Sequence, residues 1–324
     1  MSDVTTSAPI ESRLEAYRPE LTGYCYQMLG SVFEAEDAVQ DTLVRAWRGF
    51  DRFEGRSALR SWLYRIATNV CLNMLASAQL RARPMDLGPA GSGRATDPGE
   101  PRPDQIWVGP VPDSRVLPEA ADPANVVAQR ESIRLAFVAA LQHLPPRQRA
   151  VLILREVLAW SAQEVADLLD TSVPSVNSAL QRARAAIATA DTADVHAPLD
   201  AEQKALLTRY VKALEDYDLE ALTTLLHDDA TLSMPPLPLW LRGHDDIVAW
   251  MAGTGSGCRG SRLVPVVANG MPAFGQYRSS LSGSGHDPWA LIVLEISAGR
   301  ITAVNNFLDT IRLFPLFGLP ARLE

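Results

Sequence analysis

The chain has 324 residues, 47% of them hydrophobic, with three cysteines and a formal net charge of −8, enough sequence for two or three buried cores. Cys25, Cys71 and Cys258 are far apart and in no CxxC or Cys/His ligand spacing, which argues against a disulfide frame or a zinc site. No stretch reaches the roughly 18 apolar residues of a membrane span, and "MSDVTTSAPIESRLEAYRPE" lacks the basic start and apolar run of an export signal, so an unexported cytoplasmic protein with no metal, cofactor or membrane partner is expected.

In chain order, "FEAEDAVQDTLVRAWRGF" sets Val39, Leu43, Trp47 and Phe50 three or four residues apart, predicting a helix with these on its buried face and carboxylates toward its start. "ALRSWLYRIATNVCLNMLAS" repeats the pattern with Trp62, Ile66, Val70 and Met74, and Trp62 is expected in the core. Residues 85–128 then crowd Pro, Gly, Asp and Ser without an apolar period and carry a net charge of −4, the character of an acidic linker. Within it "WVGPVPD", Trp107 to Asp113, is too apolar for an idle tether and is expected to dock. "QRESIRLAFVAALQHLPPRQRAVLILREV" gives two more helices, punctuated by Pro145 and Pro146.

The next stretch, "SAQEVADLLDTSVPSVNSALQRARAAI", reads as a helix-turn-helix. Ser161 caps a first helix with Glu164 as its capping-box partner. Asp170 sits at the sharp turn, Thr171 or Ser172 caps the second helix, and Pro174 fits its first turn. At 100° per residue Val173, Val176, Leu180, Ala183 and Ile187 share the face to be buried. The opposite face holds Ser175, Ser178, Gln181 and Arg182, with Arg184 on its flank. Short hydroxyls let a helix sit deep in a major groove while the arginines reach phosphates or guanine edges. A solvated helical hairpin would show the same alternation. Residues 129–190 carry +2 against −6 for 191–324, so the acidic total does not exclude nucleic acid.

From about Leu199 the pattern changes to two helices, "AEQKALLTRYVKALEDYD" and "LEALTTLLHDDA", a short strand ending at "SMPP", a helix around "HDDIVAWM", and the strands "RLVPVVA", "PAFGQYRSS", "WALIVLEI" and "RITAVNNFLD". Asn269-Gly270 and Ala298-Gly299 are turn signals between partners. Helices followed by an antiparallel sheet predict an α+β domain, in which "HDDA" ends a helix.

The segments "AEDAVQDTLVRAWRGFDRFEGRSALRSWLYRIATNVCLNML" and "ALQHLPPRQRAVLILREVLAWSAQEVADLLDTSVPSVNSALQRARAAI", in that order across a Pro-rich linker, resemble regions 2 and 4 of group 4, extracytoplasmic-function-type sigma-70 factors. The resemblance implies an all-α region 2 over residues 10–84 and a region 4 helix-turn-helix over 129–190. Its partners would be core RNA polymerase, through the β′ clamp helices and the β flap, and promoter DNA. Asp37, Gln40, Asp41 and Arg48 would face the clamp. Phe53, Arg56, Ser57, Arg60, Ser61, Arg65, Asn69 and Asn73 would serve the −10 element, with Asn69 equally suited to helix packing. Ser172, Ser175, Ser178, Gln181, Arg182 and Arg184 would read the −35 element. The linker in such factors threads the polymerase active-site channel, a place for an acidic chain; an acidic tether without that role fits the composition as well.

Residues 199–318 look like the SnoaL-like members of the NTF2/ketosteroid-isomerase superfold, conical α+β domains around a pocket. Group 4 factors carrying such an extension are modulated by it in cis. The chain lacks the DGGG and NPDK motifs of one subgroup and is closer to the one with a WxxPxPD linker segment. This places Trp107, Pro110 and Pro112 with Phe314 and Phe317 as an interdomain contact, the tail Phe307 to Leu319 meeting the Trp107 segment. His227, Asp228, Asp229, Trp240, Arg242, His244 and His286 are the polar or aromatic candidates for a pocket, but no pair of them argues for catalysis. A non-enzymatic chain is expected, its third domain meeting a small-molecule or protein effector. The competing readings are a ligand-responsive repressor that binds duplex DNA without polymerase and a pocket enzyme.

Overall fold

The computed structural model describes residues 9–53, 58–76, 81–95, 97–117, 130–187, 201–281 and 283–324. It divides into two compact units, one built from Met1–Arg81 and Asp113–Thr192, the other from Ala82–Pro112 and Ala193–Glu324. Among the described residues no helix is long and apolar enough to cross a membrane, and no cluster of metal-ligating side chains occurs.

The first unit begins with α1 (Ile10–Glu15), α2 (Arg18–Leu29), α3 (Val32–Gly49) and α4 (Leu59–Leu75). The central helix is α2: Leu21, Tyr24, Cys25, Met28 and Leu29 are all buried on it. It stops at Gly30, whose φ of 72° is left-handed and whose missing Cβ leaves room for the side chains of Arg81 and Gln142. Ser31 then caps α3 by accepting from the Glu34 N–H. Between α2 and α4 the buried hydroxyls of Tyr24 and Thr68 share a 2.7 Å hydrogen bond.

Two tryptophans depart from the expected periodicity. Trp47 is 56% exposed, its indole N–H donating to Glu11 Oε1 at 3.1 Å, because the buried stripe of α3 runs through Val39, Thr42, Leu43 and Ala46 instead. Trp62 is only half-buried. The core face of α4 is Leu63, Tyr64, Ala67, Val70 and Cys71, rotated about one position from the expected one, which leaves Trp62 to stack on Phe53.

The unit continues with α5 (Leu135–Gln142), α6 (Pro146–Leu152) running into a wide π turn Ile153–Val157, α7 (Ala162–Leu168) and α8 (Val173–Ile187). Pro146 occupies the first turn of α6, where its missing N–H costs nothing.

The second unit holds α9 (Ala201–Glu215), α10 (Leu219–Leu225), β1 (Leu226–Ser233), β2 (Trp240–Arg242), α11 (His244–Ala252), β3 (Arg262–Ala268), β4 (Met271–Ser279), β5 (His286–Ser297), β6 (Arg300–Phe307) and α12 (Thr310–Leu316). The six strands form one sheet in the order β2-β1-β6-β5-β4-β3. The two anticipated hairpin turns are present, with left-handed φ at Asn269, Gly270, Ala298 and Gly299. The sheet differs from the antiparallel expectation in one pairing: β1 runs parallel to β6, since the chain passes through α11 and the whole β3–β6 meander before it returns beside β1. His227, Asp228 and Asp229 open β1 rather than closing a helix; Leu225 is the last residue of α10. α12 covers the opposite face of the sheet, with Phe314 edge-on to Tyr277 at 5.1 Å, and Leu323 pairs with His286 through two backbone hydrogen bonds.

Candidate nucleic-acid interface

The helix-turn-helix closes locally as its sequence requires. Ser161 accepts from the Glu164 N–H at 3.2 Å, and Glu164 accepts from the Ser161 N–H at 2.8 Å, a full capping box. That backbone donor, reinforced by the Ser161 side chain, holds the Glu164 carboxyl below its ordinary pKa. Asp170 takes the turn at φ 51°, and Ser172 accepts from the Ser175 N–H at 3.4 Å to start α8. Val176, Leu180 and Ala183 are buried beneath α8. Ser172, Ser175, Ser178, Gln181, Arg182 and Arg184 are all exposed, and Arg184 leans on Glu156 at 2.5 Å.

The residues expected at a −10 element sit in two settings. Asn69 and Asn73 project exposed from α4, so Asn69 does not pack. Ser61 is half-buried, and Phe53 stacks on Trp62 at 4.9 Å and Phe50 at 5.9 Å. Arg56 and Ser57 lie outside the described residues. Arg60 and Arg65 are spent internally: Arg60 pairs with Glu20 at 3.0 Å and lies over the rings of Tyr64 and Trp160, and Arg65 donates to the Asp167 carbonyl at 2.6 Å.

Those contacts belong to a wider seam between the α2–α4 bundle and the α5–α8 group. Tyr64 meets Trp160 at 5.1 Å, and Gln27 donates to Ser132 Oγ at 2.8 Å. Arg149, 1% exposed, donates to the Met28 carbonyl, to Gln142 Oε1 at 2.6 Å and to the carbonyls of Gln142 and Leu144 at 2.9 and 3.2 Å. Burial pushes its pKa down to about 10 and leaves it a cation at neutral pH, consistent with its donating four hydrogen bonds. Nothing in "PPRQRA" marked this arginine as internal; its place among Ala150, Val151 and Leu152, all buried, is the only hint.

On α3, Asp37, Gln40 and Arg48 are exposed and Asp41 half-exposed. Asp41 pairs with Arg45 at 2.8 Å and Gln40 accepts from Arg18 at 3.3 Å, so the face is polar but partly self-paired.

Of the stretch 85–128 read from composition as a linker, the part up to Pro112 belongs with Ala82–Pro84 to a strap along the sheet-containing unit, while Asp113 onward belongs to the first unit. Trp240 donates its indole N–H to the Gly88 carbonyl at 2.9 Å, Gly91 N–H donates to the Trp240 carbonyl at 2.8 Å, and Gly93 N–H donates to Asp246 at 2.7 Å. Arg102 N–H reaches Pro236, and Asp104 pairs with Arg312 of α12 at 3.1 Å. At the far end Val111 and Asn269 exchange two hydrogen bonds, each 2.9 Å, one through the Asn269 side chain and one through its backbone. Trp107, Pro110 and Pro112 are buried. Phe314 is buried against Tyr277, and Phe317 is half-exposed. A Cβ on Gly93 would stand 1.8 Å from the Asp246 carbonyl oxygen, so this glycine marks a close backbone approach rather than looseness.

The sheet and helices of the second unit enclose an apolar cavity of about 210 Å³. His227, Asp228, Asp229, Arg242, His244 and His286 do not line it, nor does Trp240, and its described lining contains no Asp, Glu or His. His244 instead turns toward the His227 carbonyl at 3.0 Å and His286 toward the Gly260 carbonyl at 3.2 Å.

Comparison with known proteins decides the family. Sigma-70 region 2 matches residues 14–81, the region 4 family matches 134–187, and the SnoaL-like domain matches 207–304. The ECF RNA polymerase sigma factor SigG of Mycobacterium tuberculosis is 46% identical over 320 residues, covering 95% of this chain and 83% of the relative. The chain belongs to the ECF sigma factors. Mycobacterium tuberculosis SigJ is 29% identical over 306 residues, covering 90% of this sigma factor and 89% of its own length. The crystal structure of SigJ superposes with a TM-score of 0.61 at 24% identity over 96% of this chain and 99% of that one, so the three-part fold is shared. The repressor alternative loses its ground, because both sigma regions are present.

Proposed function

We propose that the chain binds core RNA polymerase and directs it to promoters, with the C-terminal domain acting in cis through the strap. Asp37, Gln40, Asp41 and Arg48 serve the β′ clamp helices, and region 4 packs on the β flap. Ser172, Ser175, Ser178, Gln181, Arg182 and Arg184 read the −35 element; Phe53, Arg56, Ser57, Arg60, Ser61, Arg65, Asn69 and Asn73 serve the −10 element. The third domain regulates by binding and catalyses nothing.

The observation that carries the regulatory half is that residues 82–112 of the segment joining the two DNA-reading regions are anchored at several points on the SnoaL-like domain. Elements about 25 base pairs apart lie roughly 85 Å apart on B-DNA at 3.4 Å per pair. A closed unit of this size has a radius of gyration of about 15 Å, so regions 2 and 4 must part to occupy both. At about 3.3 Å per residue the strap, Ala82–Pro112, reaches roughly 100 Å when extended. Held on the third domain, it cannot extend. The anchorage therefore restrains opening.

Transcription in vitro from a genomic fragment library with core polymerase tests both halves, using the full chain and Asn269→Gly, which keeps the left-handed turn but removes the side-chain anchor on Val111. Initiation by the full chain, with higher output from N269G at the same promoters, is expected. Absence of transcripts with core, together with tight duplex binding by the chain alone, would restore the repressor.

A further inference from the structure

The cavity of the SnoaL-like domain has one polar end. Leu214, Leu232, Trp250 and Ile292 are among its apolar walls, while Cys258, Gln276 and Arg278 stand together on it. The guanidinium of Arg278 lies 3.2 Å from the centre of the Trp289 ring and donates to Cys258 Sγ at 2.9 Å. Its Nε is buried without a hydrogen-bond partner, and among the described residues no carboxylate forms an ion pair with it. Arg278 as a whole is half-buried, and Asp287, opposite it on β5, pairs instead with Arg322; a thiol and an aromatic face are weak company for a cation partly withdrawn from water. The guanidinium fork fits a carboxylate in two parallel hydrogen bonds, and the Trp289 face fixes its plane.

We infer that this cavity binds a small carboxylate with an apolar body, its anionic end on Arg278 and its body along the leucine and isoleucine walls. An apolar cavity of about 150 Å³ accepts benzene; by proportion, 210 Å³ accommodates about eight or nine non-hydrogen atoms, the size of benzoate or hexanoate. The described lining offers no carboxylate or imidazole to move a proton, so the site suits binding rather than turnover. It is also coupled to the strap. Pro98 lines the cavity, and the neighbouring Ala95 carbonyl accepts from Thr254, itself a lining residue, at 3.0 Å. A ligand seated there touches the segment that joins the two DNA-reading regions, and its consequence for transcription rests on the cis reading above.

The test uses the full chain with benzoate and hexanoate as probes and benzamide and hexanamide as their neutral isosteres. Cys25 and Cys71 are buried and Cys258 is half-exposed, so alkylation of Cys258 by iodoacetamide, followed peptide by peptide, reports occupancy, and calorimetry gives the affinity. Saturable protection by one of the carboxylates, at least about tenfold stronger than by its amide, is expected. Arg278→Gln should erase that preference. Ile292→Phe, which fills the cavity and keeps the arginine, should abolish binding of both probe pairs while the charge remains. Amides that bind as well as the acids would overturn the assignment, as would no protection up to about 10 mM of either acid, or binding that survives I292F. These outcomes are separable from the regulatory reading: a chain that ignores all four probes while N269G still alters transcription loses the ligand and keeps the cis restraint.

Discussion

The two DNA-reading regions engage their arginines to different extents. On α8 the polar face predicted for the −35 element is exposed throughout: Arg182 points away from the buried stripe of Val176, Leu180 and Ala183, and Arg184 pairs with Glu156 at the surface. On α4 two of the three arginines expected near the −10 element are engaged elsewhere, Arg60 by Glu20 and Trp160 and Arg65 by the Asp167 carbonyl. The arginines of α4 are thus held across the seam to the α5–α8 group, whereas those of α8 stay at the surface. On the proposed function, opening on the polymerase would exchange Arg60 and Arg65 from Trp160 and Asp167 to DNA.

The largest expected effect comes from breaking that arrangement at its centre. Arg149→Met keeps an unbranched apolar side chain but removes the donor shared by Met28 on one region and Gln142 and Leu144 on the other. Buried acceptors left without donors cost about 1–3 kcal/mol each, so chemical denaturation should show a loss of about 3 kcal/mol or more. Retention of full stability would mean that water replaces the guanidinium and the seam is looser than its geometry.

The strap marks the limit of what the sequence discloses. Periodicity made α8 readable, because a helix repeats its burial every 3.6 residues; the capping box at Ser161 and the left-handed turns at Asn269 and Ala298 were readable for the same local reason. Residues 82–112 have no period, and their composition resembles that of a free linker. They are nevertheless held by backbone donors reaching Trp240, Pro236 and Asp246, contacts over 130 residues away in the chain that no local pattern encodes. Trp107 and the "WVGPVPD" stretch were the one legible sign of docking. The rotation of α4 that frees Trp62 was invisible too, since large aromatics satisfied either face of the helical wheel.

Gly93→Ala is the next largest perturbation. Its Cβ would collide with the Asp246 carbonyl, an overpacking worth roughly 1–3 kcal/mol, and the strain is relieved most easily by lifting the strap. Limited proteolysis should therefore cut within 82–112 in the variant and spare the wild type, with α8 untouched. Equal cleavage of both would show the anchorage to be too weak to restrain anything.

The contrast between the two arginine sets is sharpened by a matched pair. Arg182→Ala should weaken binding of the polymerase holoenzyme to a −35 element by about 1–3 kcal/mol and leave thermal stability unchanged, since Arg182 is exposed. Arg65→Ala should do both: it loses a hydrogen bond worth about 1 kcal/mol to the fold as well as its contact at the −10 element. Filter binding and thermal melts on the two variants separate these. A stability loss in R182A, or none in R65A, would reverse the assignment of surface and seam arginines.

The smallest effect lies in α7, which braces the reading helix and also receives Arg65 at Asp167. Glu164 is a carboxylate in its first turn whose pKa is held below 4.5 by the Ser161 backbone and side chain, so the folded state binds its proton less readily than the unfolded chain. Such a group adds stability that is present above the unfolded pKa and lost as pH falls through the folded one. Glu164→Gln keeps the capping-box hydrogen bond but not the charge at the helix N-terminus. It should cost about 0.3–0.5 kcal/mol at pH 7. Wild type and variant should then converge as the pH drops below 4.5, with no divergence between pH 5 and 7. Because α7 carries both functions, the same titration followed by the Trp160 fluorescence should move with it, coupling the cap to the seam; a cap that titrates while Trp160 stays silent would confine Glu164 to the reading helix alone.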